Sequence, residues 1–227
     1  MLDGLTVGGY LPSSFLDWNG HVAAVIFTSG CNFRCPWCHN STLVLSQTEP
    51  LCAEEVFKDI LRRRNFLDGV VISGGEPFLW NGLTDLLMEI KSCGLAVKLD
   101  TNGSFPELLA SVLEQKLVSY VAMDVKAPFD ERILKRVTGA DILAERLRES
   151  ISLIKKFAPD YEFRTTYVPA LLTEEDLRAI RKELCDDRHW FVQCFKPVNC
   201  LNPTFMQMDA VSPEKLQDFL PGITIRG

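Results

Sequence analysis

Short apolar runs alternate along this chain with segments whose apolar residues recur every three or four positions. The runs predict buried strands, and the periodic segments predict helices packed against them. Six strands are expected, at residues 22–28, 69–73, 95–99, 118–125, 161–168 and 190–195. Helices are expected at residues 53–65, 82–92, 105–115, 141–157 and 173–184, and a last short one begins at Pro213. This alternation is typical of βαβ units around a parallel sheet.

Six β/α units make about three-quarters of a closed eight-unit barrel. The expected fold class is therefore α/β, a partial (β/α)6 barrel. Its core spans about residues 20–196, between a short polar N-terminal lead-in and a C-terminal tail, and the 227 residues suit one domain. Ligands of such folds collect at the C-terminal ends of the strands, so polar residues at those ends are the candidates for a site.

Three cysteines follow the first expected strand at C-x3-C-x2-C spacing: Cys31, Cys35 and Cys38. Glycine and proline in the same stretch predict a loop. A structural zinc site needs four protein ligands, usually from two paired knuckles. A four-iron cluster bound by three thiolates leaves one iron open for a small molecule. The cluster is the better match, and a zinc knuckle completed by a distant residue such as Cys52 is the alternative.

Further polar residues fall at the ends of the next strands. Gly74-Gly75-Glu76-Pro77 follows the second strand, Asp100-Thr101 follows the third, and Asp124 ends the fourth. Each could be an ordinary turn or strand end. Two carboxylates facing each other across adjacent strands are costly without a cation between them, and hard cations take oxygen ligands. The convergence of these motifs with the cysteines at one edge of the sheet predicts a single site.

Composition excludes some functions. A net charge of −6 argues against a nucleic-acid partner. No apolar run approaches the roughly 20 residues that span a bilayer, and the N-terminus lacks the features of a signal peptide, so we expect a cytoplasmic protein without a membrane partner. Eight cysteines in such a chain indicate metal binding or catalysis rather than disulfides. Five of them are expected to be core or incidental thiols: Cys52, Cys93, Cys185, Cys194 and Cys200.

The cysteine spacing, with an aromatic residue before the third cysteine, resembles the signature of the radical SAM enzymes. The wider stretch, from Gly8-Gly9 through Asp17-Trp18-Asn19-Gly20 to Cys38-His39-Asn40, resembles the activating proteins of anaerobic ribonucleoside-triphosphate reductase. The resemblance covers about residues 8–200 and implies a partial barrel of the radical SAM type. It also implies a [4Fe-4S] cluster on Cys31, Cys35 and Cys38, whose open iron binds S-adenosylmethionine. In that family an electron from the cluster cleaves this cofactor to methionine and a 5′-deoxyadenosyl radical.

The resemblance assigns further residues to S-adenosylmethionine. Trp37 would lie beside the adenine, and His39 would make a backbone contact on the same side. The backbone at Gly74 and Gly75 would receive the amino group, with glycine permitting the close approach. Glu76 would orient that turn or accept a hydrogen bond from the ammonium.

Four more residues receive roles from the same resemblance. Asp100 and Asp124, with Thr101 as a further oxygen donor, would hold a monovalent cation against the carboxylate of S-adenosylmethionine. Lys126 would neutralise that carboxylate or meet the substrate, which makes it the catalytic candidate. Arg164, on the fifth strand, would contact S-adenosylmethionine.

The implied partner is a glycyl-radical enzyme, the anaerobic ribonucleotide reductase, and the implied electron donor is a flavodoxin or ferredoxin. An open barrel mouth flanked by Gln193 and Lys196 would fit a loop of such a protein. Two alternatives remain open. One is radical SAM chemistry on a small molecule or on another glycyl-radical enzyme such as pyruvate formate-lyase. The other is a non-enzymatic zinc or iron–sulfur module.

Overall fold

The computed structural model describes residues 6–227, so that residues 1–5 of the expected lead-in lie outside the described part. Its strands are β1 (Thr6–Ser14), β2 (Ala23–Thr28), β3 (Leu51–Cys52), β4 (Gly69–Gly74), β5 (Ala96–Thr101), β6 (Tyr120–Asp124), β7 (Tyr161–Tyr167), β8 (Trp190–Cys194) and β9 (Thr224–Arg226). Its α-helices are α1 (Ser41–Val44), α2 (Ala53–Arg63), α3 (Leu83–Ser92), α4 (Pro106–Glu114), α5 (Glu131–Thr138), α6 (Ala144–Phe157), α7 (Glu174–Glu183) and α8 (Pro213–Phe219).

All these strands form one sheet in the order β3-β1-β2-β4-β5-β6-β7-β8-β9. The six strands expected from the sequence are confirmed as β2 and β4 to β8, and each is parallel to the next. Helices connect them, which confirms the α/β class and the partial (β/α)6 barrel. The expected boundaries differ from the observed ones by a few residues. The fourth expected strand, for example, begins at Tyr120 rather than Val118.

The helices pack through the apolar faces that their spacing predicted. Helix α3 buries Leu83, Leu86, Leu87 and Ile90, each no more than 3% exposed. Burying one such side chain contributes about 1.5–3 kcal/mol, which fixes the helix against the sheet. At the start of α7, the Oγ1 of Thr173 accepts a hydrogen bond from the N–H of Asp176 at 3.1 Å, as expected of a capping residue. None of the helices in residues 6–227 combines the length and the apolar character needed to cross a bilayer.

Both segments outside the expected core also join the sheet, which corrects the expectation of a polar lead-in and a tail. Residues 6–14 form β1, antiparallel to β2, with Tyr10 opposite Ile26. At the other end, β9 pairs with β8 in parallel. Neither segment carries a continuous apolar run, because glycine, proline and serine interrupt β1 and β9 is only three residues long.

Helix α5 was not expected from the sequence. Only Ile133, Leu134 and Val137 are apolar in it, too few for the periodicity to stand out. The sequence features that indicate this helix are the residues at its two ends. The Asp130 carboxylate accepts from the backbone at the first turn, and Gly139, with φ of 66°, ends the helix in the left-handed conformation.

Candidate active site

The C-terminal ends of the parallel strands surround a cleft of about 500 Å³. Most of the residues predicted to form the site line this cleft: Cys31, Cys35, Trp37, Cys38, His39, Gly74, Gly75, Asp100, Thr101, Asp124, Lys126 and Arg164. Glu76 lies beneath it, fully buried. Gln193 and Lys196 also line the cleft, as expected of the barrel mouth. The structure therefore brings the separate sequence motifs together at one place.

The three cysteines of the C-x3-C-x2-C motif share one wall of the cleft. Burial raises the pKa of Cys35 to about 12, and burial likewise raises the pKa of Cys31. The Sγ of Cys31 accepts a hydrogen bond from the N–H of Phe33 at 3.3 Å. Within residues 6–227, no three histidine, cysteine, aspartate or glutamate side chains are arranged to bind one metal ion together. A thiol binds metal as the thiolate, so metal binding at this wall would release protons.

Segments far away in the sequence fix the backbone of the cysteine loop. One is the end of α5, and the other is the segment that follows β8. The hydrogen bonds are Arg34 N to Thr138 O at 2.6 Å, Leu201 N to Cys38 O at 3.0 Å and Asn202 N to Pro36 O at 2.8 Å. The ring of His39 joins the second segment, with Nε2 lying 2.8 Å from the Lys196 carbonyl oxygen. The sequence predicted the loop and the metal-ligand spacing, but it missed both of these supports.

The glycines after β4 are required by the close approach of two backbones. Gly74 has φ of 115°, and a Cβ on Gly75 would overlap the carbonyl oxygen of Gly30. The Glu76 N–H donates to that same carbonyl at 2.8 Å. The Asn40 side chain donates to the Gly74 carbonyl at 3.2 Å, which ties this turn to the cysteine loop. Only glycine permits so tight a contact at these positions.

Glu76 fastens the turn to the end of β5. Its Oε1 accepts from the Thr101 hydroxyl at 2.8 Å and from Phe78 N at 3.3 Å, and its Oε2 accepts from Asn102 N at 2.8 Å. Burial raises the pKa of Glu76 to about 7, while these hydrogen bonds oppose the rise. Of the two roles expected for Glu76, the geometry supports orientation of the turn. The Thr101 hydroxyl is directed at Glu76, which differs from the cation-ligand role expected for it.

Asn102 was not singled out from the sequence, although it lies within the Asp-Thr-Asn-Gly stretch after β5. Its side-chain amide donates to Asn32 Oδ1 at 2.8 Å and lies 3.9 Å from Cys31 Sγ. Its backbone N–H is bound by Glu76. Asn102 therefore connects the cysteine loop with the glycine turn, and its place in a motif at a strand end was the available signal.

Asp100 and Asp124 are bridged by a guanidinium. Arg164 donates through Nε to Asp124 Oδ1 at 2.9 Å and through Nη1 to Asp100 Oδ2 at 3.2 Å. The Lys126 ammonium lies 3.0 Å from Asp124 Oδ2. Burial alone would raise the pKa of Asp124, but the charges of Arg164 and Lys126 outweigh it and lower that pKa to about 2.

This bridge corrects two expectations. The place expected for a monovalent cation, between Asp100 and Asp124, is filled by the Arg164 side chain. Two hydrogen bonds of Arg164 go to protein carboxylates, whereas a contact with S-adenosylmethionine was expected of it. The physical reason is register: Arg164 is the neighbour of Asp124 across β6 and β7, so its side chain enters the barrel at the same level.

Below the level of Arg164 and Asp124, toward the N-terminal ends of the strands, the barrel interior also holds charged side chains. Glu162, 3% exposed, binds Arg226 through Oε2 at 2.8 Å and lies 3.7 Å from the Lys98 ammonium. Lys98 also lies 3.7 Å from Asp100. These residues were missed. The available signal was charge at alternate positions in otherwise apolar strands, since Lys98 precedes Asp100 by two residues and Glu162 precedes Arg164 by two.

Two aromatic side chains mark the cysteine side of the cleft. Trp37 is 8% exposed, and the Lys126 ammonium lies 5.1 Å from the centroid of its ring. The His39 ring centroid lies 6.2 Å from that of Phe195. Two buried polar atoms of cleft residues, Trp37 Nε1 and Asp100 Oδ1, have no hydrogen-bond partner among residues 6–227. Asp100 Oδ1 still lies 3.7 Å from the Lys98 ammonium, whereas the Trp37 Nε1 donor is left for a polar ligand.

Comparison with known proteins adds independent information. The model of the radical SAM superfamily matches residues 25–184. A protein of Methanocaldococcus jannaschii named "Putative glycyl-radical enzyme activating enzyme" is 36% identical over 216 residues, which cover 93% of this chain and 89% of that protein. The pyruvate formate-lyase-activating enzyme of Clostridium pasteurianum is 34% identical over 128 residues, which cover 52% of this chain and 51% of that enzyme.

Solved structures share the fold at low sequence identity. SuiB of Streptococcus suis bound to S-adenosylmethionine matches with a TM-score of 0.64 and 15% identity, covering 88% of this chain and 49% of SuiB. The protein anSMEcpe, with bound AdoMet and a peptide, matches with a TM-score of 0.53 and 21% identity, covering 78% of this chain and 49% of the other. This chain thus spans about half the length of these solved structures.

Proposed function

Because the chain belongs to the radical SAM superfamily, we propose that it is an activating enzyme that generates a glycyl radical on an anaerobic ribonucleoside-triphosphate reductase. Enzymes of this superfamily use a [4Fe-4S] cluster and S-adenosylmethionine. The observation that carries the proposal is the cleft, where the cysteine loop, the glycine turn and the bridged aspartates meet. The relative from Methanocaldococcus jannaschii, similar over nearly its whole length, supports the activating role.

Cys31, Cys35 and Cys38 hold the cluster in this proposal. The donor set fits, since cysteine thiolates are the usual ligands of four-iron clusters and all three thiols line the same cleft. When bound, the cluster supplies the electron that cleaves S-adenosylmethionine to methionine and a 5′-deoxyadenosyl radical. The chain itself fixes the loop through the end of α5 and the segment after β8.

Trp37 and the glycine turn would border the space for S-adenosylmethionine. The partnerless Trp37 Nε1 would donate to the cofactor. The backbone at Gly74 and Gly75 approaches its amino group, while Glu76 holds that turn in position.

The remaining cleft residues have different roles, set by their charge and position. His39 contributes a contact on the adenine side. Lys126 faces the cofactor carboxylate from its place beside Asp124, and Arg164 keeps Asp100 and Asp124 at their positions. Among these residues Lys126 carries the positive charge nearest the Trp37 ring, at 5.1 Å from its centroid.

The target is a glycine on a loop of the partner enzyme. A hydrogen atom leaves the glycine Cα and joins the 5′ carbon, giving 5′-deoxyadenosine and a glycyl radical. The sequence from Gly8 through Gly20, which resembles the activating proteins of the anaerobic reductase, favours that enzyme as the partner. A flavodoxin or ferredoxin supplies the electron, in the cytoplasm. All eight cysteines are free thiols, which suits a reducing compartment.

Pyruvate formate-lyase is the second candidate target. The specific observation in its favour is the 34% identity over 128 residues to its activating enzyme from Clostridium pasteurianum. The match covers 52% of the present chain, whereas the match to the Methanocaldococcus protein covers 93%. Incubation with each candidate target decides between them.

The test is anaerobic reconstitution with iron and sulfide, followed by S-adenosylmethionine, a strong reductant and assay of 5′-deoxyadenosine. We expect formation of the product and its loss in Cys35→Ala. Cys52→Ala is the matched control, since that thiol is exposed on β3 and distant in sequence from the motif. Product formation by Cys35→Ala, or a purified protein that holds zinc without iron, contradicts the assignment. Electron paramagnetic resonance after addition of each candidate target then identifies the partner.

A further inference from the structure

Three polar side chains form a row on the side of the cleft farthest along the sheet from β2. Thr166 on β7 is the register neighbour of Gln193 on β8, and Gln193 is the register neighbour of Arg226 on β9. All three line the cleft. Because neighbouring positions in a parallel sheet face the same side, the row forms a continuous polar strip.

The charged side chains in this row and below it already have partners within the protein. The Arg226 guanidinium binds Glu162 at 2.8 Å and lies 3.7 Å from the centroid of the Phe191 ring. Arg164 precedes Thr166 by two residues on the same face of β7 and is held by the aspartates. Thr166 therefore stands one level closer to the mouth than Arg164. The part of the row left to contact a ligand is uncharged: a hydroxyl and a carboxamide.

These two groups are only loosely bound to each other. The Thr166 hydroxyl donates to Gln193 Oε1 at 3.4 Å, the long end of the hydrogen-bond range. Both side chains are partly exposed to the cleft. A bond of that length is readily exchanged for one to a ligand. With Oε1 accepting, the amide hydrogens of Gln193 and the lone pairs of Thr166 are directed to other partners.

We propose that Thr166 and Gln193 bind the peptide backbone of the target segment beside the glycine that loses its hydrogen. The inference rests on the proposed function and names the residues that recognise its protein substrate. A glycine has no side chain for the enzyme to contact, so the peptide N–H and C=O groups next to it are the groups available for hydrogen bonding. A hydroxyl and a carboxamide each supply a donor and an acceptor, which matches a neutral peptide backbone better than a charged ligand.

Such contacts matter because the reacting atoms must be held about 3–3.5 Å apart, and small misplacements cost rate. They act on the target rather than on S-adenosylmethionine. Their loss should therefore uncouple the two halves of the reaction: the cofactor is still cleaved, but fewer cleavage events leave a radical on the target.

The test uses Gln193→Leu and Thr166→Val in the cluster-loaded protein, with the wild-type target enzyme. The measured quantity is the ratio of glycyl radical, from electron paramagnetic resonance, to 5′-deoxyadenosine. We expect this ratio at subsaturating target to fall about tenfold in each variant, the effect of one lost hydrogen bond. Thr166→Ser retains the hydroxyl and should restore the ratio. Gln115→Leu, an exposed glutamine after α4 that bonds only Ser111 in the described part of the chain, is the matched control.

Two results overturn the inference. One is an unchanged ratio in both variants. The other is a fall in 5′-deoxyadenosine without target equal to the fall in radical, which would place the two side chains on the cofactor. Melting temperature, measured in parallel, separates either result from misfolding, and Thr166→Ser remains informative in that case. Failure of the proposed function looks different, because the wild-type protein then yields no radical on the target.

Discussion

Arg164 and Asp124 form a half-buried ion pair across two neighbouring strands, with Nε 2.9 Å from Oδ1. The other arm of the guanidinium reaches Asp100 at 3.2 Å. The two strand-end carboxylates are thereby held at the base of the cleft by a side chain of the protein itself. The other oxygen of Asp100, Oδ1, lies 3.7 Å from the Lys98 ammonium.

Replacing Arg164 by methionine should destabilise the protein strongly. The change leaves the half-buried carboxylates of Asp100 and Asp124 without the guanidinium between them, a loss of about 1–3 kcal/mol in the free energy of unfolding. Denaturant unfolding of the cluster-loaded protein measures it. Arg178→Met is the control, since its pairs with Glu174 and Glu175 are exposed and contribute at most about 1 kcal/mol. Equal, small losses in both variants would contradict the bridging role.

The same variant should change the response to acid. The pKa of Asp124 falls from 3.8 to about 2 in the folded protein, so its contribution to stability is complete above about pH 4 and is lost as pH falls toward 2. The difference in unfolding free energy between wild type and Arg164→Met should shrink over that window. A difference that stays constant from pH 5 to pH 2 would rule out this linkage.

Glu76 should make stability fall as pH rises. Burial raises its pKa from 4.5 to about 7, so the folded protein keeps a proton that the unfolded chain has released between those values. Its contribution therefore declines by at most about 1.4 kcal/mol per pH unit from pH 4.5 to 7 and is constant above. Glu76→Gln removes the ionisation. Subtracting its unfolding free energy from that of wild type at each pH isolates this slope, and a flat difference would contradict it.

Gly75→Ala should disrupt the glycine turn, because the added Cβ overlaps the Gly30 carbonyl oxygen, a backbone atom that cannot move away cheaply. We expect a loss of about 3 kcal/mol or more in unfolding free energy, together with loss of S-adenosylmethionine binding. Gly9→Ala is the matched control, since its Cβ would meet the Phe27 ring at 3.4 Å, an ordinary contact. Calorimetric titration with the cofactor measures binding, and normal binding by Gly75→Ala would refute the close approach.

Leu201→Pro should loosen the cysteine loop without unfolding the barrel. Proline lacks the N–H that donates to the Cys38 carbonyl at 3.0 Å, and an unsatisfied carbonyl costs about 1–3 kcal/mol. The cluster should therefore lose iron to a chelator about tenfold faster or more. Leu201→Ala removes the side chain but keeps the donor, and should release iron at the wild-type rate. The same rate in both variants would show that this hydrogen bond does not support the loop.

The sequence was sufficient for the parts of the molecule that local pattern governs. Six short runs predicted β2 and β4 to β8, and the clearest of them, β2 and β4, each begin with four consecutive buried residues. The cysteine spacing predicted one wall of the cleft, since its three ligands lie on one loop. Glycine, proline and strand-end carboxylates indicated the edge where the cleft lies.

Contacts between segments far apart in the sequence could not be predicted from these local patterns. No local signal shows that Arg164 would reach Asp100 and Asp124, because the register of β6 with β7 decides it. The same holds for Thr138 and Leu201, whose backbone contacts with the cysteine loop depend on how α5 and the segment after β8 fold back. Strand β1 has no continuous apolar run to reveal it, because glycine, proline and serine interrupt its sequence.

In the proposed reaction, the hydrogen that is removed comes from a glycine of a partner protein. The direct measurement uses a candidate anaerobic reductase whose glycines carry deuterium, incubated anaerobically with the cluster-loaded protein, S-adenosylmethionine and a reductant. We expect one deuterium in the 5′-deoxyadenosine formed and a glycyl radical signal of matching amount. Unlabelled 5′-deoxyadenosine with no radical on the reductase or on pyruvate formate-lyase, tested in the same way, would contradict it.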